Sequence, residues 1–92
     1  MAVIRRSYIF HGDVQGVGFR YYACQEARAL GITGWVQNCY DGTVHMEAQG
    51  EERALYELIS YMDQIRHIEI TDLEYKALPV KPHELGFKVM GY

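Results

Sequence analysis

A glycine-rich loop set between a strand-forming run and a helix-forming run constrains this chain more than any other feature. Val3 to His11 is rich in β-branched and aromatic residues (Val3, Ile4, Tyr8, Ile9, Phe10), the composition of a strand. Gly12, Gly16 and Gly18 interrupt that run. From Phe19 or Arg20 to Leu30 the residues favour helix. Ala23, Ala27 and Leu30 recur on one apolar stripe, and Gly31 stands where a left-handed cap is expected. Strand, loop and helix in succession present the unpaired first amides of a helix, and the positive end of its dipole, at the loop. Gly16 and Gly18 allow consecutive N–H groups to turn toward one centre as an anion nest. Arg20 can close the nest with a planar, permanently charged fork. The same glycines would equally serve a tight strand-to-helix turn. No Lys-Ser/Thr follows them, so the loop is not a nucleotide-binding P-loop.

Beyond Gly31 the pattern continues without linker or repeat. Thr33 to Asn38 and Thr43 to Gln49 read as strands joined by Cys39-Tyr40-Asp41-Gly42, and Asp-Gly between such runs is a strong hairpin signal. In the second of them Val44, Met46 and Ala48 should face the core, and Thr43, His45, Glu47 and Gln49 should face out. A helix beginning near Glu51 would bury Leu55, Leu58, Ile59, Met62 and Ile65. His67 to Tyr75 reads as a strand whose apolar parity switches between Ile70 and Leu73, which predicts a bulge near Thr71-Asp72. Pro79 and Pro82 mark a loop, after which Leu85, Phe87 and Val89 alternate in a short last strand. The order βαββαβ with an extra terminal strand is the ferredoxin-like α+β pattern, an antiparallel sheet with two helices on one face. That scaffold carries many unrelated functions.

At 92 residues the chain is expected to be a single domain spanning 1–92. A net charge of −3 disfavours nucleic-acid binding, and the one basic cluster, Arg5-Arg6, reads as a solvated face. An RNA-binding sheet would also need aromatic motifs that are absent. No apolar run approaches the roughly 20 residues of a membrane-spanning helix, and no signal-peptide core opens the chain. The 2 cysteines, Cys24 and Cys39, have neither metal-ligand nor redox spacing and are expected to be reduced thiols of a cytoplasmic protein. Were the chain secreted, they could pair. The histidines His11, His45, His67 and His83 lie on different elements without metal-ligand spacing, so no metal site is expected.

Gly12-x-Val14-Gln15-Gly16-Val17-x-Phe19-Arg20 resembles the first signature of the acylphosphatase family. Gly34-Trp35-Val36-Gln37-Asn38, followed by Asp41-Gly42-x-Val44, resembles its second. The resemblance runs through nearly the whole chain. It implies hydrolysis of a carboxyl-phosphate anhydride to a carboxylate and inorganic phosphate, without metal or cofactor. It also implies that Arg20 binds the phosphate, that Asn38 positions the attacking water, and that the amides of Gln15, Gly16, Val17, Gly18 and Phe19 form the cradle. The expected partners are a small acyl phosphate and phosphate itself; a monomer is expected. The competing reading is a non-catalytic anion-binding module in which Asn38 only shapes the turn before Asp41-Gly42. A second, an accessory domain like that opening carbamoyl-transfer maturation proteins, lacks its zinc-finger cysteines here.

Individual residues carry further expectations. Gln15 should matter through its amide more than its side chain. Phe19 and Trp35 should belong to the core, since large aromatics dominate small cores. Cys24 should be buried. Tyr21 and Tyr22 either frame the acyl group or pack along the helix flank. Asp13 departs from the resemblance, because a carboxylate beside an anion cradle repels substrate if it points inward; its alternation with Val14 suggests that it points away.

Overall fold

The computed structural model describes residues 2–91. Its elements are β1 (Val3–Asp13), α1 (Phe19–Ala29), β2 (Thr33–Asn38), β3 (Val44–Glu51), α2 (Glu52–Asp63), β4 (Glu69–Leu78) and β5 (Phe87–Met90). The sheet runs β4-β1-β3-β2-β5. Each helix connects two strands that are both antiparallel to the strand between them, which is the split βαβ arrangement of the ferredoxin-like α+β class. The sheet is mixed rather than wholly antiparallel, because β5 pairs parallel to β2, Val36 opposite Val89.

The hydrophobic core lies between the sheet and the helices. Tyr8, Phe10, Val36, Val44, Met46 and Ala48 supply the sheet side; Ala23, Ala27, Leu55, Leu58 and Met62 supply the helix side. The stripes read from periodicity thus face the core, with Leu30, Ile59 and Ile65 only half-buried at its margin. Helix α1 ends as Gly31 predicts: the Gly31 N–H donates to the Arg28 carbonyl and the Ile32 N–H to that of Ala27, the paired bonds of a Schellman cap. The parity switch in β4 is also real. His11 pairs with Asp72 and Gly12 with Ile70, so Thr71 is the extra residue that returns Leu73 to the helix face. No helix among the described residues is long and apolar enough to cross a membrane.

The helix-free face departs from expectation. Chain leaving β4 at one edge reaches β5 at the other through residues 79–86, crossing four strand spacings, about 19 Å, as a strap. Beneath it Arg5 is 1% exposed, not solvated. Its guanidinium donates to Glu47 at 2.8 Å, to Glu84 at 2.7 Å and to Gln49 at 3.2 Å. Gln49, expected to face solvent, is buried too, and its side-chain amide pairs with both the N–H and the carbonyl of Lys81 at 2.8 Å. Thr43 is likewise buried, its hydroxyl donating to Asp41 at 2.6 Å. Trp35 is half-buried on this face instead of joining the core. Leu85 is exposed, because the strap turns it outward before β5 begins.

Arg5 therefore ties the strap to the sheet. Replacing Arg5 with Met is expected to lower unfolding stability by about 3 kcal/mol, since it strands two carboxylates near a buried site. Urea midpoints measure this. Burial by itself would raise the Glu84 carboxyl, but the hydrogen bond and charge of Arg5, together with Thr33 and the charge of Lys81, outweigh it and hold the group below the ordinary carboxylate range. Its contribution to stability is therefore complete above that range and lost as acid protonates it. The variant should accordingly show a flatter acid limb than the native chain.

Candidate active site

The loop between β1 and α1 is anchored at both ends by side chains that leave the solvent. Val14 is 1% exposed, and Phe19 places its ring 4.8 Å from that of Phe10 in the core. Between them Gly16 and Gly18 adopt φ of 74° and 82°, a region costly for residues with a Cβ. Among the described residues, the N–H groups of Gly16, Val17, Gly18 and Phe19 find no acceptor. Helix α1 has no side-chain cap and no acidic residue in its first turn. Its dipole is uncompensated where the loop meets it.

A cavity of about 390 Å³ opens there, lined by Val14, Gly16, Gly18, Phe19, Arg20, Tyr21, Asn38 and Val89. The tertiary structure thus brings Arg20 and Asn38, from different elements, to one space. Arg20 spends one donor on the Met90 carbonyl of β5 at 3.1 Å, and the rest of its fork has no protein acceptor among the described residues. Asn38 ends β2 opposite Val44. Its Oδ1 is buried and has no hydrogen-bond partner among the described residues. A buried amide oxygen without a donor is costly, and such atoms in native proteins ask for a role.

Gln15 does more than present its amide. Its Nε2 donates to the carbonyls of Cys39 at 2.6 Å and Thr43 at 2.8 Å, clamping the loop to the hairpin that follows Asn38. The Thr43 N–H and hydroxyl in turn hold Asp41 below the ordinary carboxylate range. Gln15 and Val17, also expected in the cradle, are not among the residues that line the cavity. Of the two tyrosines, Tyr21 lines the cavity, whereas Tyr22 packs behind Gly18 and against the His67 ring at 5.6 Å. Asp13 is exposed and absent from the cavity wall, so the suspected repulsion is directed into solvent. Cys24 is buried, Cys39 half-buried, and both are free thiols. His11 pairs with Glu74 at 2.6 Å, away from the cavity. No group of three or more His, Cys, Asp or Glu among the described residues could hold a metal ion.

Val89 was not legible as a wall of this cavity, because it arrives on β5 from the far end of the chain. Beyond it and Tyr21 the cavity continues into an open groove flanked by Gln25, Arg28, Lys88 and Met90.

Comparison with known proteins bears on the family. The sequence profile described as Acylphosphatase matches residues 6–89. The chain is 42% identical over 80 residues to an acylphosphatase of Clostridium acetobutylicum, covering 86% of this chain and 88% of that one. It is 36% identical over 91 residues to one of Clostridium beijerinckii, covering 95% and 98%. Its fold superposes on the crystal structure of acylphosphatase from Bacillus subtilis with a TM-score of 0.87 at 31% identity, covering 95% of this chain and 98% of that one. With a family profile spanning the strand, the glycine loop, the hairpin and the closing strands alike, this chain belongs to the acylphosphatase family.

Proposed function

We propose that the chain hydrolyses acyl phosphates to a carboxylate and inorganic phosphate, with the phosphate held by Arg20 and the amides of Gln15 to Phe19 and the water held by Asn38. One observation supports this reading: Asn38, whose buried Oδ1 has no hydrogen-bond partner among the described residues, lines the same cavity as Arg20, Gly16 and Gly18. A module that only bound an anion would need the donors but would have no use for an acceptor buried beside them.

The chemistry suits so small a set of groups. Phosphoryl transfer depends chiefly on positioning and on stabilising charge at the equatorial oxygens, which fixed amides and a guanidinium provide. Water attacks phosphorus from the side that Asn38 borders, and the bond from phosphorus to the acyl oxygen breaks. The carboxylate leaves without needing a proton. The proton lost by water passes to a phosphate oxygen, because the Asn38 amide orients water and is no base. The acyl group would extend along Tyr21 and Val89 toward the open groove.

The reaction is proposed to need neither metal nor cofactor. Benzoyl phosphate in EDTA-containing buffer is therefore expected to yield benzoate and phosphate at an undiminished rate. Saturable phosphate binding without turnover would replace this reading with that of an anion-binding module.

A further inference from the structure

The peptide joining Val17 to Gly18 is one of two links in the loop that lead into a positive-φ glycine and can turn over. Flipping it changes ψ of Val17 and φ of Gly18, and glycine accepts φ of either sign. The two orientations are not equivalent for an anion. In a trans peptide the C=O and N–H point in opposite directions. One orientation offers the Gly18 N–H to the cavity; the other would put a carbonyl oxygen there and repel phosphate.

A side chain distant in sequence holds that carbonyl. Nε2 of His67, just before β4, lies 3.0 Å from the Val17 carbonyl oxygen. A carbonyl only accepts, so this nitrogen carries the proton in either charge state of the ring. The imidazole packs edge-on against Tyr22 at 5.6 Å, and Tyr22 stands behind Gly18. His67 is not part of the cavity wall, while Gly18 is. The Val17 oxygen thus points away from the cavity, and the Gly18 N–H, which has no acceptor among the described residues, points the other way.

We infer that His67 is a positioning residue, fixing the Val17–Gly18 peptide so that the Gly18 N–H faces the bound phosphate. This rests on the cradle proposed above. It adds a residue fifty positions away whose effect on the reaction runs through a backbone amide and which never touches substrate.

Titration of ¹⁵N-labelled protein with inorganic phosphate tests both levels separately. In the native chain the Gly18 amide is expected to shift on phosphate addition; no shift at any of residues 16–19 would overturn the cradle itself. His67→Phe keeps a ring against Tyr22 but removes the donor. It is expected to weaken phosphate binding and raise KM for benzoyl phosphate, each about tenfold, with a smaller change in kcat. His67→Gln, whose amide can reach the same carbonyl as a donor, should restore binding to within about threefold. If His67→Phe fails to fold, His67→Gln against His67→Glu makes the same comparison, since the two are alike in shape and differ in the ability to donate. Native-like phosphate affinity and an intact Gly18 shift in the donor-less variant would overturn the assignment while leaving the cradle standing.

Discussion

Arg20→Ala is expected to lower kcat/KM for benzoyl phosphate by about 10³-fold, the scale on which an arginine that stabilises transferring phosphoryl charge contributes. The loss should appear in both parameters. In its proposed role Arg20 holds the ground-state phosphate, so the inhibition constant of inorganic phosphate should rise with KM. It also meets the charge that builds on the equatorial oxygens, so kcat falls as well. Arg20→Lys keeps a charge but not the planar fork, and should recover only about a tenth of the lost activity. Because Arg20 also donates to the Met90 carbonyl, its loss could loosen β5 from α1. Urea denaturation separates the two effects: the bond is exposed and should matter to stability by no more than about 1 kcal/mol. A folded Arg20→Ala protein with native kcat/KM would remove Arg20 from the site.

Asn38→Ala should behave differently, and the difference identifies its role. Its kcat is expected to fall by about 10²- to 10³-fold, the cost of removing one oriented hydrogen-bonding group from a preorganised site. The inhibition constant of phosphate should stay within about threefold of native, because the role proposed for Asn38 is to hold the water rather than the phosphate. Stability should be unchanged or rise by about 1 kcal/mol, since the substitution deletes a buried acceptor that no donor among the described residues satisfies. A residue kept at a cost to folding and lost at a cost to turnover is what a water-positioning group should look like. Reduced activity traced entirely to a lowered urea midpoint would instead make Asn38 a turn-former.

The site was legible in the sequence to the extent that its chemistry is local. Gly16, Gly18, Phe19 and Arg20 are near neighbours, and a strand followed by glycines and an uncapped helix leaves amides unpaired wherever such a segment folds. The bulge at Thr71 could be read from parity alone, because a strand cannot bury both Ile70 and Leu73 without an extra residue between them. Asn38 was singled out by its resemblance to a family signature. Its local context, just before Asp41-Gly42, reads equally as a turn.

Other features depended on which surfaces the topology covers. Arg5 and Gln49 carry the sequence marks of solvent-facing residues, and Trp35 those of a core residue. The strap from β4 to β5 reversed the first two, because it crosses the helix-free face and Glu84 meets an arginine 79 residues away. Trp35 took the outward parity that Val36 left to it when Val36 was buried. Gln15 shows the same limit within the site: its side chain binds carbonyls 24 and 28 residues on, contacts that no local pattern announces.

By itself, then, the sequence determined the order of elements, their buried stripes and an anion-competent loop, since periodicity, turn chemistry and helix-end amides are properties of short segments. Only the tertiary structure decided that Arg20 and Asn38 share one cavity, that Val89 walls it and that Asp13 turns away. It alone set His67 behind the Val17 carbonyl. Each of these pairs strands or loops that meet through the sheet order β4-β1-β3-β2-β5, and that order brings distant residues together by burying apolar faces, without regard to their separation along the chain.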